Sequence, residues 1–168
     1  GLGDVYKRQA QCSKGHMPVL RQEQITRYDS EAAVFTAGIK AEPFNFLSVD
    51  AGSSMFLSKG STTDGYSMPA IRTMNNSLLL SLSMPMNISI DAGLNHYYNN
   101  LAMGNKSFAL LNLKINLNHK RVKYSLECNN LLNTHKYVYS YNIAMSEFYS
   151  EYNLRGRSVM LTARMNLF

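Results

Sequence analysis

Over most of this chain, hydrophobic and polar residues alternate with a period of two. That is the pattern of strands with one face against an apolar medium and the other in water. Ala33, Phe35, Ala37, Ile39 and Ala41 alternate with Thr36, Gly38, Lys40 and Glu42, and Pro43 ends the run. Leu47, Val49, Ala51, Met55 and Leu57 alternate with Ser48, Asp50, Gly52, Ser54 and Ser58. After a Gly/Ser/Thr/Asp-rich stretch at 59–67 come Leu78, Leu80, Leu82 and Met84 with Ser77, Ser81 and Ser83. The clearest run sets Ile88, Ile90, Ala92 and Leu94 against Ser89, Asp91, Gly93 and Asn95. Leu111, Leu113, Ile115 and Leu117 then alternate with Asn112, Lys114, Asn116 and Asn118. Val122, Tyr124, Leu126 and Cys128 alternate with Lys123, Ser125 and Glu127, and Tyr137, Tyr139, Tyr141 and Ile143 continue that run beyond an Asn-rich break. Val159, Leu161, Ala163, Met165 and Leu167 close the series.

These runs predict about seven strands, many reaching the ~9–11 residues that a tilted strand needs to cross a bilayer. An eighth, at 18–28, is poorly patterned. No run predicts a helix, a linker or a boundary between domains. The connections alternate in length: those at 41–44, 84–87 and 118–121 are tight, and those at 59–68, 99–107 and around 145–147 are longer and polar. An up-and-down barrel has this rhythm, with short turns at one rim and long loops at the other. Counted back from a last strand ending in the periplasm, every short turn falls on the periplasmic side.

Composition narrows the class. Of 168 residues, 45% are hydrophobic but only 17% charged, below the ~25% usual in soluble domains. Asn and Ser, roughly a fifth of the chain, supply the remaining polarity. No segment approaches the ~18 consecutive apolar residues of a membrane helix, and the aliphatic and aromatic content is too high for disorder. A transmembrane barrel stays open because its strands alternate and give no hydropathy peak. Charged and amide side chains fall mid-strand on the polar face: Asp50, Asp91, Asn95, Asn112, Lys114, Asn116, Lys123 and Glu127. In a barrel they line the lumen. Phe44, Phe46, Tyr97, Tyr98, Phe108, Tyr137 and Tyr139 gather toward strand ends, where interfacial girdles lie.

Other chemistry is sparse. Cys12 and Cys128 are read as separate structural thiols, since no Cys-x-x-Cys pair or Cys/His cluster occurs. His16, His96, His119 and His135 lack paired metal spacing, and no Gly-x-Ser-x-Gly element is present. No enzyme, cofactor or metal site is expected. The net charge of +6 is scattered over turns and strand ends, without the basic stripe that nucleic acid requires. Arg155 and Arg157 fit a bond within the wall and ordinary exposure equally well. Residues 1–9 have no periodicity and resemble translated adapter read-through, so they are set aside as non-native. Residues 10–30 are read as a poorly patterned loop or extra strand, and 31–168 as barrel strands. With no initiator Met and no signal-peptide pattern, the chain is expected to be truncated at its N-terminus.

The last forty residues carry a more specific element. Tyr124-Ser-Leu-Glu-Cys128 runs into Asn129-Asn130-Leu131-Leu132-Asn133 and then Lys136-Tyr137; Leu154-Arg155-Gly156-Arg157 precedes a final strand ending in Phe168. This resembles the C-terminal end of TonB-dependent outer-membrane receptors of the Bacteroidetes type. In that family an Asn-Leu-hydrophobic-Asn element lies in the penultimate strand, Gly-Arg introduces the last one, and a terminal aromatic is the assembly signal. Here Phe168 shares parity with Asn166, Arg164 and Thr162 rather than with the apolar residues, a departure that bears on its candidate signal role. The resemblance implies an all-β, antiparallel, up-and-down segment of a transmembrane barrel of about 22 strands. It also implies import of a large nutrient such as a glycan or siderophore. The partners it implies are outer-membrane lipid and lipopolysaccharide, the barrel-assembly machinery, an N-terminal plug and further strands of the same protein, and a TonB-type energy-coupling complex. Two alternatives follow from the strand pattern alone: a complete small barrel of about eight strands with a structural or adhesive role, and a soluble β-sandwich binding module.

Overall fold

The structure is a computed structural model, and it describes residues 5–102, 105–143 and 146–165. The described residues form ten strands: β1 (Val5–Arg21), β2 (Gln24–Phe44), β3 (Leu47–Thr62), β4 (Ile71–Met84), β5 (Ile88–Asn99), β6 (Ser107–His119), β7 (Val122–Asn129), β8 (Lys136–Ile143), β9 (Ser146–Asn153) and β10 (Ser158–Met165). Eight of them form one antiparallel sheet in the order β1-β2-β3-β4-β5-β6-β7-β10. Strands β8 and β9 form a separate hairpin between β7 and β10. Among the described residues β1 and β10 are the sheet's two edges, and no pairing joins them.

The tight turns at 45–46, 85–87 and 120–121 all lie at one end of this sheet. The connections 63–70, 100–106 and 130–157 all lie at the other. A further tight turn, at Gln22 and Glu23, also lies at the long-loop end, but it tips a hairpin that rises beyond the neighbouring strands. Lys120 takes a positive φ of 52°, and at 85–87 a single 3-10 turn places Met86 and Asn87 at 67° and 57°. These conformations reverse the chain within two or three residues.

Several sequence expectations require correction. Residues 5–9, set aside from the fold, pair in register with Lys40 through Thr36. Residues 10–30 form neither a loop nor a single extra strand; they fill most of β1, the turn and the start of β2. The supposed eighth strand at 18–28 straddles that turn. The turn expected at 41–44 lies at 45–46, because β2 runs past Pro43 with a register irregularity between Ala41 and Phe44. Proline has no N–H to donate, so the ladder slips there without ending. The loop expected from residue 59 begins after Thr62, where β3 ends. Residues 137–143 do not continue β7. They form β8, and its partner β9 had no distinct apolar run to announce it. Phe168 and the end of the final strand lie outside the described residues.

The register sorts the sheet into two faces. One row across it reads Lys40, Asp50, Leu79, Gly93 and Asn112; the adjacent row on the opposite face reads Ile39, Ala51, Leu78, Leu94 and Leu111. Because successive side chains alternate, the polar face carries Ser, Thr, Asn, Asp, Lys and Glu with a few apolar residues such as Val34, Phe56 and Leu110. The opposite face is a band of Ala, Ile, Leu, Val, Met and Phe. That band runs from Ala41 to Ala33 on β2, from Leu47 to Leu57 on β3 and from Met84 to Met74 on β4. Toward the long loops it ends in Glu31, Lys59 and Arg72.

On β3, β4 and β5 the band holds a polar thread bonded within itself, and β1 brings Arg8 into the same row opposite Ala37. Ser53 Oγ donates to Asn76 Oδ1 (2.7 Å), and Asn76 Nδ2 lies 3.1 Å from His96 Nδ1. A ring accepting at Nδ1 keeps its proton on Nε2, which then donates to Ser107 Oγ at 2.7 Å. Among the described residues no layer covers the band. The buried apolar ones among them are Tyr28, Met68, Ile71 and Ala102, whereas Val159, Leu161 and Met165 are 69%, 73% and 60% exposed. At the long-loop end the packing is closer. The Tyr28 ring lies over Gly60, where a Cβ would collide with it, and the 63–70 loop folds back through a Met68 N–H to Gly60 C=O bond of 2.9 Å.

Candidate functional site

The eight charged and amide residues expected to line a lumen all project from the polar face. Asp91, Lys114 and Glu127 are direct cross-strand neighbours on β5, β6 and β7, with Lys114 Nζ 2.8 Å from Glu127 Oε1. Asn116 donates through Nδ2 to Ser89 Oγ (3.2 Å) and accepts from Ser125 Oγ at Oδ1 (3.0 Å), bracing three strands. Asp50 sits opposite Lys40, Lys123 lies between Asn118 and Arg164, and Asn95 lies beside Ser77. Asp50 and Asp91 are kept apart by β4, so they do not form a carboxylate pair. Alternating charges and amides give this face hydrogen-bonding capacity without one dominant sign.

Asn112 has a different task. Its Oδ1 accepts the Asn130 N–H at 2.9 Å, and this leads to the element that carried the sequence resemblance. Asn130, Leu131, Leu132 and Asn133 do not lie in a strand; they form the turn that leaves β7. Asn130 has φ of 53° and is buried. Its Nδ2 donates to the carbonyls of Thr134 (2.8 Å) and Arg155 (2.9 Å), and its Oδ1 accepts the Thr134 N–H (2.9 Å). Leu131 N–H reaches Leu111 C=O of β6 at 2.8 Å, while Leu132 is half exposed. Asn133, with φ of 57°, accepts the Arg157 N–H at Oδ1 (3.3 Å). A Cβ at Gly156 would stand 3.3 Å from that same oxygen, so the chain passes closest where it has no side chain.

The motif is therefore a clamp. It ties both roots of the 130–157 connection to each other and to β6. Asparagine suits it because it tolerates positive φ and carries both donor and acceptor. Arg155 and Arg157 enter the clamp through backbone groups alone.

What the clamp holds is the β8–β9 hairpin. Asn99 of β5 donates through Nδ2 to Ser140 C=O of β8 at 2.7 Å in a buried contact. Tyr97 and Phe108, neighbours on the polar face, stack at 4.7 Å, and Tyr137 of β8 meets Phe108 edge-on at 5.0 Å. The series continues along one side of the hairpin through Tyr137–Tyr152 (5.9 Å) and Tyr141–Phe148 (5.0 Å), with Tyr139 beside Tyr141. Burial of the Tyr137 phenol pushes its pKa above the usual tyrosine value. Lys136 and Glu151 bridge the outer edge at 2.5 Å, which holds the carboxyl below its ordinary range. Between hairpin and sheet lies a cavity of about 330 Å³ bordered by Thr73, Asn75, Asn99, Lys106 and the rings of Tyr97, Phe108 and Tyr137.

The aromatics expected as one girdle thus divide. Phe44 and Phe46 stack at the β2–β3 turn (5.2 Å) and Tyr98 sits on the apolar face, whereas Tyr97, Phe108, Tyr137 and Tyr139 belong to the polar-side mouth. Sequence reading missed this cluster; its available signal was the one-sided spacing of Tyr137, Tyr139 and Tyr141 followed by Phe148 and Tyr152. Among the described residues no three His, Cys, Asp or Glu converge as metal donors. Cys12 is exposed and Cys128 partly buried, and both are free thiols. No protein-family model matches the chain, and no curated protein or solved structure matches it.

Proposed function

We propose that this chain is the C-terminal part of a larger outer-membrane β-barrel, a TonB-dependent receptor that imports a large nutrient such as a glycan or siderophore. The observation that carries the reading is the uncovered apolar band on one sheet face. It is about ten residues tall on each central strand, as a tilted transmembrane strand requires. It is backed by a face with charges at mid-strand, and a soluble sandwich would need a second sheet about 10 Å away over the band. In this reading the polar face lines a lumen, the tight turns lie in the periplasm, and the hairpin overhangs the external mouth. The free edges at β1 and β10 favour a segment of a larger barrel over a complete eight-strand one, which needs those edges joined. Partners are outer-membrane lipid and lipopolysaccharide, the assembly machinery, an N-terminal plug with further strands, and the energy-coupling complex.

The test is an immunoblot of fractionated cells with antibody against the β8–β9 hairpin. The expected band is in the outer-membrane fraction at several times the 19.0 kDa of this chain. A band near 19 kDa in that fraction would establish the small barrel instead, and one in the buffer-soluble fraction would end the membrane reading.

A further inference from the structure

We propose that the loop-side rim of the apolar face binds a phosphorylated lipid, with the headgroup phosphate held by Lys14, Lys59 and Arg72. The proposal rests on the membrane reading above and assigns that face a specific lipid site. Two adjacent rows build it. Cys12, Ala33 and Leu57 stand in one row with Arg72 at its end; Lys14, Glu31 and Lys59 form the next row toward the loops. Together with Ile71, Ala70 and Tyr98 they border a groove of about 860 Å³. Its floor is apolar and one rim is cationic.

The charges are arranged for an anion. Glu31 accepts both Lys14 (2.6 Å) and Lys59 (2.8 Å), which hold its carboxyl at a pKa of about 2 and fix the two ammonium groups side by side. One carboxylate cannot neutralise two ammoniums, and Arg72 makes no ion pair among the described residues. The four groups therefore carry a net charge of +2 at neutral pH. In the next row His16 stands opposite Asp29 in the ladder, and Asp29, whose charge also acts on Lys14, is bonded to Arg27 beyond it at 2.7 Å. A guanidinium and an ammonium facing one site match a phosphate dianion in charge and geometry.

The floor identifies the rest of the ligand. Below the rim the same face continues through Ala10, Phe35, Met55 and Met74, which with the Arg8 side chain at one border line a further groove of about 500 Å³. An acyl chain lying there would cover side chains that none of the described residues cover, while its phosphate reached the cationic row at the boundary of the apolar band. Free phosphate would gain only the upper half of this arrangement. A lipid gains both, and basic residues at that boundary are where anionic headgroups are held.

The test uses the full encoded protein in dodecyl maltoside, titrated with dimyristoyl phosphatidic acid, with dimyristoylglycerol and with inorganic phosphate, bound species being counted by native mass spectrometry. Phosphatidic acid is expected to bind in discrete stoichiometry and the uncharged diacylglycerol to bind far more weakly. The double variant Lys59→Gln/Arg72→Gln is expected to weaken phosphatidic acid about 30-fold, while Lys59→Arg retains it. Equal retention of the two lipids, or a double variant with intact strand circular dichroism and unchanged binding, would overturn the proposal. Inorganic phosphate binding as tightly as the lipid would replace it with a free-anion site. A protein that inserts into bilayers but fails this discrimination loses only the lipid site, whereas one that stays in buffer without detergent loses the membrane reading itself.

Discussion

Leu80→Arg is expected to destabilise the full encoded protein in a phosphatidylcholine bilayer by about 2–4 kcal/mol, whereas Ser81→Arg, one residue on, should change stability by less than about 1 kcal/mol. The two positions are adjacent on β4 and differ in the face they present. Leu80 stands between Val49 and Ala92 in the middle of the apolar band, where on the membrane reading a guanidinium would meet neither partner nor water. Ser81 stands between Ser48 and Asp91, so an arginine there meets a carboxylate on the polar face. Urea unfolding from vesicles measures both. Equal costs at the two sites would mean that the faces do not differ in solvent, and a larger cost at Ser81 would mean that the polar face is the covered one.

The second large effect is expected at the clamp. Asn130→Ala removes two donated bonds and one accepted bond from a buried site and places a Cβ-bearing residue without a local partner at positive φ. A loss of about 2–3 kcal/mol follows from the stranded carbonyls and the backbone strain. Asn130→Gly relieves the strain but not the missing bonds, so it should recover only part of the loss. The damage should be local. Amide hydrogen exchange is expected to rise in Lys136–Ile143, Ser146–Asn153 and the Arg155–Arg157 entry to β10, and to stay unchanged in β2 and β3. Protection lost evenly across the sheet would show that Asn130 serves the wall as a whole and not the loop.

What could be read from the sequence, and what could not, divides at the edge of the apolar band. Within it Ile88, Ile90, Ala92 and Leu94 alternate with Ser89, Asp91 and Gly93, and the structure sets the two series on opposite faces. Beyond it the contrast disappears. Lys14, His16, Asp29 and Glu31 are as polar as Ser13, Gly15 and Ser30 on the other face, so the β1–β2 extension has no period to detect although it is fully paired. The β8–β9 hairpin was obscure for a related reason: Ser146 through Asn153 are nearly all exposed, and no apolar face separates them from loop. The role of Asn130 could not be read at all. Nothing in Asn-Leu-Leu-Asn specifies that the chain turns at positive φ, or that carbonyls four and twenty-five residues ahead return to a single amide.

The claim on which the rest depends is that the apolar face meets lipid. Nitroxide labels placed singly along Ile71–Met84, with Cys12 and Cys128 replaced by serine, read the medium on each side. Collision with membrane-dissolved oxygen should peak at positions 74, 78, 80 and 82, and collision with a water-soluble nickel chelate should peak at 75, 77 and 81, so the two quenchers alternate out of phase with a period of two. In-phase profiles, or nickel reaching 78 and 80 as readily as 77 and 81, would contradict the account.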